Sequence, residues 1–140
     1  MTERATFPHS HPVRVYWEDT DAGGIVYHAS YVRFLERGRT ELLRSNGIDQ
    51  SALAKSDDPV LFAVRFMELD FRRPAKLDDA LTIETSVSEI GGARLIMPQR
   101  VLRGEEVLLE AKVVCAAITP EGKPRRVPDM IRSLFGFPIG

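Results

Sequence analysis

Hydrophobic positions recur along this chain with two distinct periods. Val13, Val15 and Trp17 alternate with Arg14, Tyr16 and Glu18, which predicts a first strand with one buried face. The alternation stops at Glu18-Asp19-Thr20-Asp21-Ala22-Gly23-Gly24. From Tyr31 the spacing becomes three and four: Tyr31, Phe34, Leu35, Gly38 and Leu42 share a face, and Arg33, Glu36, Arg37, Arg39, Glu41 and Arg44 mostly occupy the others. This predicts an amphipathic helix over Tyr31–Asn46, with Ser30 as N-cap and Gly47 as the stop. A glycine on the apolar stripe, Gly38, implies a close packing partner there.

The two-residue period then returns. Val60–Phe71 reads as a long strand, and Pro74 with Lys76–Asp79 reads as a turn. Leu81, Ile83, Thr85 and Val87 alternate with Thr82, Glu84, Ser86 and Ser88, as in a half-exposed strand. Gly91-Gly92 signals a hairpin into Ala93–Leu102, where Pro98 implies an edge or a bulge. After the turn Arg103-Gly104-Glu105, Glu106–Ile118 forms the last strand. Strand, helix, then four strands predicts an α+β fold in which one antiparallel sheet covers one helix. Residues 1–12 are expected to be loosely ordered, 13–128 to form one domain, and 129–140 to be a tail.

Composition narrows the function classes. The 140 residues suit one domain, and a formal net charge of −1 gives no electrostatic reason to expect a nucleic-acid partner. The single cysteine, Cys115, sits in an apolar run and reads as a buried core thiol. His9 and His11 fall in the polar N-terminal segment, and no metal-ligand spacing is present. The N-terminus has no signal-peptide core, and no stretch approaches the ~18 apolar residues of a membrane span. The expected location is the cytoplasm, without membrane insertion.

The stretch V-Y-W-E-D-T-D-A-G-G-I-V-Y-H-A-S-Y-V-R-F-L-E-R-G-R-T-E resembles the opening of the hotdog-fold thioesterases of the 4-hydroxybenzoyl-CoA type. It is most similar to the acyl-CoA thioesterase subgroup encoded beside the Tol-Pal cell-envelope system. F-R-R-P-A-K-L-D-D and K-P-R-R-V-P resemble later segments of that subgroup, so the likeness runs from about Val13 to Pro128. It implies a five-stranded antiparallel sheet wrapped around one long helix, pairing of protomers into a homodimer or homotetramer, and an active site between subunits. It further implies an acyl-CoA substrate, with acyl carrier protein as an alternative carrier, and no cofactor.

Thioester hydrolysis needs a group that activates water or attacks the acyl carbon, and donors that hold the oxygen as it gains charge. From the residues alone, Asp21 is an acid in a surface turn and His28 a polar residue near a helix start. The resemblance makes Asp21 the catalytic carboxylate and His28 the helix-mouth residue whose N–H polarises the thioester carbonyl. It makes Gly24 the motif glycine, with Gly24 and Tyr27 assigned to substrate binding and Tyr31 to packing. Coenzyme A carries phosphates, so cations are needed. Arg73, Lys76 and Arg94 are the substrate-binding candidates, beside Arg72, Arg125 and Arg126. Two alternatives stand. One is a hydratase or dehydratase on the same fold, disfavoured because Tyr31–Asn46 contains neither Asp nor His. The other is a non-catalytic acyl-thioester binding or envelope scaffold protein.

Overall fold

The computed structural model describes residues 7–139. Its spine is α1 (His28–Ser45), which buries Tyr31, Phe34, Leu35, Gly38 and Leu42, the expected face, together with Ser30, Arg39 and Leu43. Gly47, at φ 78°, ends the helix. The Ile48 and Gly47 N–H groups return to the Leu43 and Arg44 carbonyls, each at 3.0 Å, the paired pattern of a Schellman stop. The start differs from expectation. Tyr27 is the N-cap, extended at φ −65° and ψ 136°, and Ser30 already lies within the first turn, its N–H donating to the Tyr27 carbonyl at 2.8 Å. The helix therefore carries His28 at its first position.

The strands are β1 (His9–Arg14), β2 (Leu61–Phe71), β3 (Ala80–Thr85), β4 (Glu89–Ile90), β5 (Arg94–Arg103) and β6 (Glu106–Ile118). They form one antiparallel sheet in the order β1-β3-β5-β6-β2, with β4 also on β5. A short helix, α2 (Gln50–Ala54), joins α1 to β2, with Asp49 accepting the Ser51 and Ala52 N–H groups as its cap.

Two expectations about the N-terminal region are corrected. His9–Pro12 pair with Thr82–Thr85 as part of β1 rather than lying loose; residues 1–6 fall outside the described residues. Pro12 is tolerated because β1 is an edge strand. Trp17 is not on a strand face. Residues 17–19 form a 3-10 turn, closed by the Asp19 carboxylate accepting the Tyr16 N–H at 2.8 Å, and the indole is 80% exposed.

Nor is β3 half-exposed: Glu84 and Thr85 are buried on its two faces, and Ser86 just beyond it is buried too. On one face Gln99 donates to the Thr85 hydroxyl and the Leu35 carbonyl. On the other, Arg100 forks onto Glu84, and the Phe7 ring covers the Arg100 guanidinium at 4.3 Å. Cross-strand pairing, invisible in one strand's own period, buries both faces.

Pro98 sits in a central strand, opposite the expected bulge: between the Thr85–Gln99 and Glu89–Ile96 pairs, three residues of the neighbouring strand oppose two of β5. It lies between Lys112 of β6 and the gap separating β3 from β4. Ser86 donates to the Pro98 carbonyl at 3.0 Å, but proline has no N–H to return. The missing bond falls where the ladder breaks, so β3 and β4 are two halves of one interrupted strand. Counted that way the sheet has the five strands expected.

Two apolar clusters fill the space between α1 and the sheet. One centres on Tyr31, Phe34, Leu35, Ile83 and Val101, and the other on Leu42, Leu43, Leu95, Met97 and Val113. The segment after Pro128 is more than a tail: α3 (Asp129–Leu134) buries Ile131 in the second cluster. Its Arg132 donates to the Val127 and Gly92 carbonyls at 3.1 and 2.9 Å, clamping the Gly91-Gly92 turn.

Candidate active site

The acidic stretch folds by closing on itself. Asp21 donates its N–H to the Ile25 carbonyl at 2.9 Å and accepts the Gly24 N–H at its own carbonyl at 3.0 Å. The Asp21 Oδ1 accepts the Gly23 N–H at 2.8 Å. The turn requires φ +81° at Gly24, a conformation open to glycine at little cost. Val26 is buried and anchors the loop, donating to the Ala75 carbonyl at 2.9 Å, while the Tyr27 N–H donates to the Asp19 carbonyl at 2.9 Å and delivers the chain to α1.

Between this loop, the first turn of α1 and the segment after β2 lies a cleft of about 370 Å³. Asp21, Ile25, His28, Tyr31, Phe71, Arg73 and Pro74 are among its walls. Four sequence-predicted residues, Asp21, His28, Arg72 and Arg73, are thus brought together. Arg73 is exposed, and its Nε lies 3.3 Å from Glu106 Oε2. The open end of α1 adds a positive helix terminus to the same wall.

The other candidates lie beside the cleft or away from it. Gly24 supplies the turn, and half-exposed Tyr27 tilts its ring against His28 with centroids 4.4 Å apart. Lys76 pairs with Ile25 through the backbone and donates its N–H to Asp79 at 2.8 Å. Arg94 is a correction. It opens β5, paired with Glu89 at 3.0 Å, whereas Arg103 at the other end reaches the Pro74 carbonyl at the cleft. Nine residue steps along the extended strand separate the two by roughly 30 Å, so Arg94 does not belong to this chain's cleft.

Tyr31 packs as expected, edge-on to Phe34 and Phe71. It also does something the sequence did not announce: its hydroxyl accepts the Ala75 N–H at 3.0 Å. Burial pushes the phenol pKa above its ordinary range, with the Ala75 hydrogen bond opposing, so it stays neutral. Phe71 was also missed as a wall. Its place at the head of F-R-R-P-A-K-L-D-D was the available signal.

The sequence profile of the Thioesterase-like superfamily matches residues 15–135. The chain belongs to that family. The Escherichia coli O6:H1 protein named acyl-CoA thioester hydrolase YbgC is 48% identical over 126 residues, covering 89% of this chain and 92% of its relative. The Haemophilus influenzae protein named acyl-CoA thioesterase YbgC is 43% identical, covering 90% and 93%. A crystal structure of a probable thioesterase from Bartonella henselae is 49% identical and superposes with a TM-score of 0.83 over 86% of this chain and 98% of that one. The hotdog resemblance in the opening motif is borne out. Within this thioesterase family the question becomes how the cleft would act.

Proposed function

We propose that this protein hydrolyses acyl-CoA thioesters to a free acid and the CoA thiol. Asp21 acts as general base on water or as nucleophile on the acyl carbon, and the N–H at the start of α1, at His28, receives the carbonyl oxygen. The observation that carries this is the shared cleft wall of Asp21 and His28, a carboxylate facing the positive end of an 18-residue helix. The relatives' names supply the substrate class. Water adds across the C–S bond: the hydroxyl joins the acyl carbon, and the sulfur leaves as thiol with the proton.

In this reading Gly24 keeps the loop low beside the substrate, Tyr27 flanks the entrance, and Arg73 with Lys76 meets the CoA phosphates. The edge strand β2 exposes Val64, Phe66 and Phe71, at 48%, 50% and 48%, and a second protomer covers it to form a homodimer. A cytoplasmic setting, acyl carrier protein as a second carrier and a link to the Tol-Pal system complete the proposal.

The test is thiol release from a panel of acyl-CoAs, from short aliphatic to long-chain and benzoyl, with wild type and Asp21→Asn. Asparagine keeps an acceptor for the Gly23 N–H, so the loop should hold while turnover falls about 100- to 10,000-fold. Turnover indifferent to the substitution would overturn the role of Asp21. No turnover of any ester would favour the scaffold alternative.

A further inference from the structure

A second cavity, of about 140 Å³, lies deeper along α1, between the helix and strands β2, β5 and β6. Leu43, Phe62, Val64, Leu95 and Met97 supply apolar walls. Into this lining the fold places a guanidinium: Arg39 is 8% exposed and borders the cavity. Its Nη1 donates to Gln99 Oε1 at 3.0 Å, and the Cys115 thiol borders the same cavity. Both are neutral, the Cys115 thiol being pushed up in pKa by burial.

Among the described residues no carboxylate forms an ion pair with Arg39. The nearest acid on the helix, Glu36, is solvent-exposed at the rim and accepts the Thr40 hydroxyl at 2.9 Å. Its field supports the Arg39 charge without pairing it, while burial opposes that charge more strongly. A buried guanidinium with five donors and no anion is costly, and a carboxylate held in the plane of the fork relieves that cost. The size of the cavity limits what accompanies the anion: a void of about 150 Å³ holds one benzene. His28 and Arg39 are eleven residues apart, or roughly 16 Å along the helix, so this cavity is not the Asp21 cleft.

We infer that this cavity is a binding site for a carboxylate on a short apolar body of about six heavy atoms, with Arg39 gripping the anion and Phe62, Leu95 and Met97 enclosing the rest. A free short-chain or aromatic acid, the class of product the proposed reaction releases, presents that chemistry. The binding claim stands without the hydrolysis proposal.

Calorimetric titration of the whole protein with hexanoate and with 1-hexanol tests the site. Hexanoate should bind about tenfold or more tightly than the alcohol, as expected for a desolvated charge-assisted pair. Arg39→Met should abolish that preference, and Asp21→Asn should leave it intact. Equal binding of acid and alcohol, no binding of hexanoate, or a preference surviving Arg39→Met would overturn the assignment. Should Arg39→Met not fold, Gln50→Phe, which fills the cavity from α2 and leaves Arg39 in place, must eliminate hexanoate binding. If no acyl-CoA of the panel turns over while hexanoate binds, the hydrolysis proposal fails and the site stands.

Discussion

The Tyr31 hydroxyl accepts the N–H of Ala75, 44 residues away, at 3.0 Å, and the Ala75 carbonyl accepts the Val26 N–H at 2.9 Å. One phenol thereby ties the first turn of α1 to the segment after β2, and through it to the Asp21 loop. Ala75 is fully buried, so Tyr31→Phe leaves its N–H without that acceptor. The expected cost is about 1–3 kcal/mol in urea denaturation. The loop should loosen with it, lowering kcat while far-UV circular dichroism stays unchanged. An unchanged urea midpoint would show that the strap contributes nothing.

At Gly38 α1 packs directly against the sheet. A Cβ there would lie 2.6 Å from Ile83 Cγ2, 2.9 Å from Thr85 Oγ1 and 3.0 Å from Gln99 Nε2. Alanine is the smallest change available and removes a helix penalty of about 1 kcal/mol. Overpacking costs about 1–3 kcal/mol against it. Gly38→Ala should therefore fail to stabilise the protein and should lower its melting temperature. A raised melting temperature would mean that Ile83 and Gln99 relax freely.

Asp79 holds the turn before β3, accepting the Lys76 N–H at 2.8 Å and Arg103 Nη1 at 2.7 Å. Partial burial favours its neutral form, but these hydrogen bonds and the Arg103 and Lys76 charges outweigh it and hold the pKa below the ordinary 3.8. A carboxylate depressed in the folded state adds stability above its unfolded pKa and loses it as pH falls through the folded value. Asp79→Asn should therefore be less stable than wild type at pH 7, and the gap should close below about pH 4. Denaturant midpoints across pH 2–7 check this; a gap independent of pH would assign the effect to packing alone.

His28 separates backbone from side-chain chemistry. Its ring leans on Tyr27 in the open, whereas its N–H belongs to the helix start. If the backbone receives the thioester oxygen, His28→Ala should keep kcat within about tenfold of wild type, far from the loss expected for Asp21→Asn. A loss as deep as that of Asp21→Asn would move the imidazole into the reacting centre.

Much of this protein was legible from local pattern. The buried face of α1, the stop at Gly47, the long strands β2, β5 and β6, and the Asp21-to-His28 motif follow from spacings within a few residues. Such spacings register which side of an element meets the core. What they cannot register is an element's distant partner. Asp19, held in its 3-10 turn, takes the Tyr27 N–H and so moves the helix start to His28. Arg100 and Phe7 bury a side of β3 that its own alternation marked as wet. Pro98 is accommodated because the neighbouring strand breaks opposite it. Arg94 is carried away from the cleft by the length of β5, while Tyr31 and Ala75 are brought together by the closing of the sheet on the helix. Burial periodicity is encoded in adjacent residues, so the sequence by itself determined the elements and the motif. Hydrogen bonds and charge pairs join groups tens of residues apart, so only the packed structure decided which walls face Asp21.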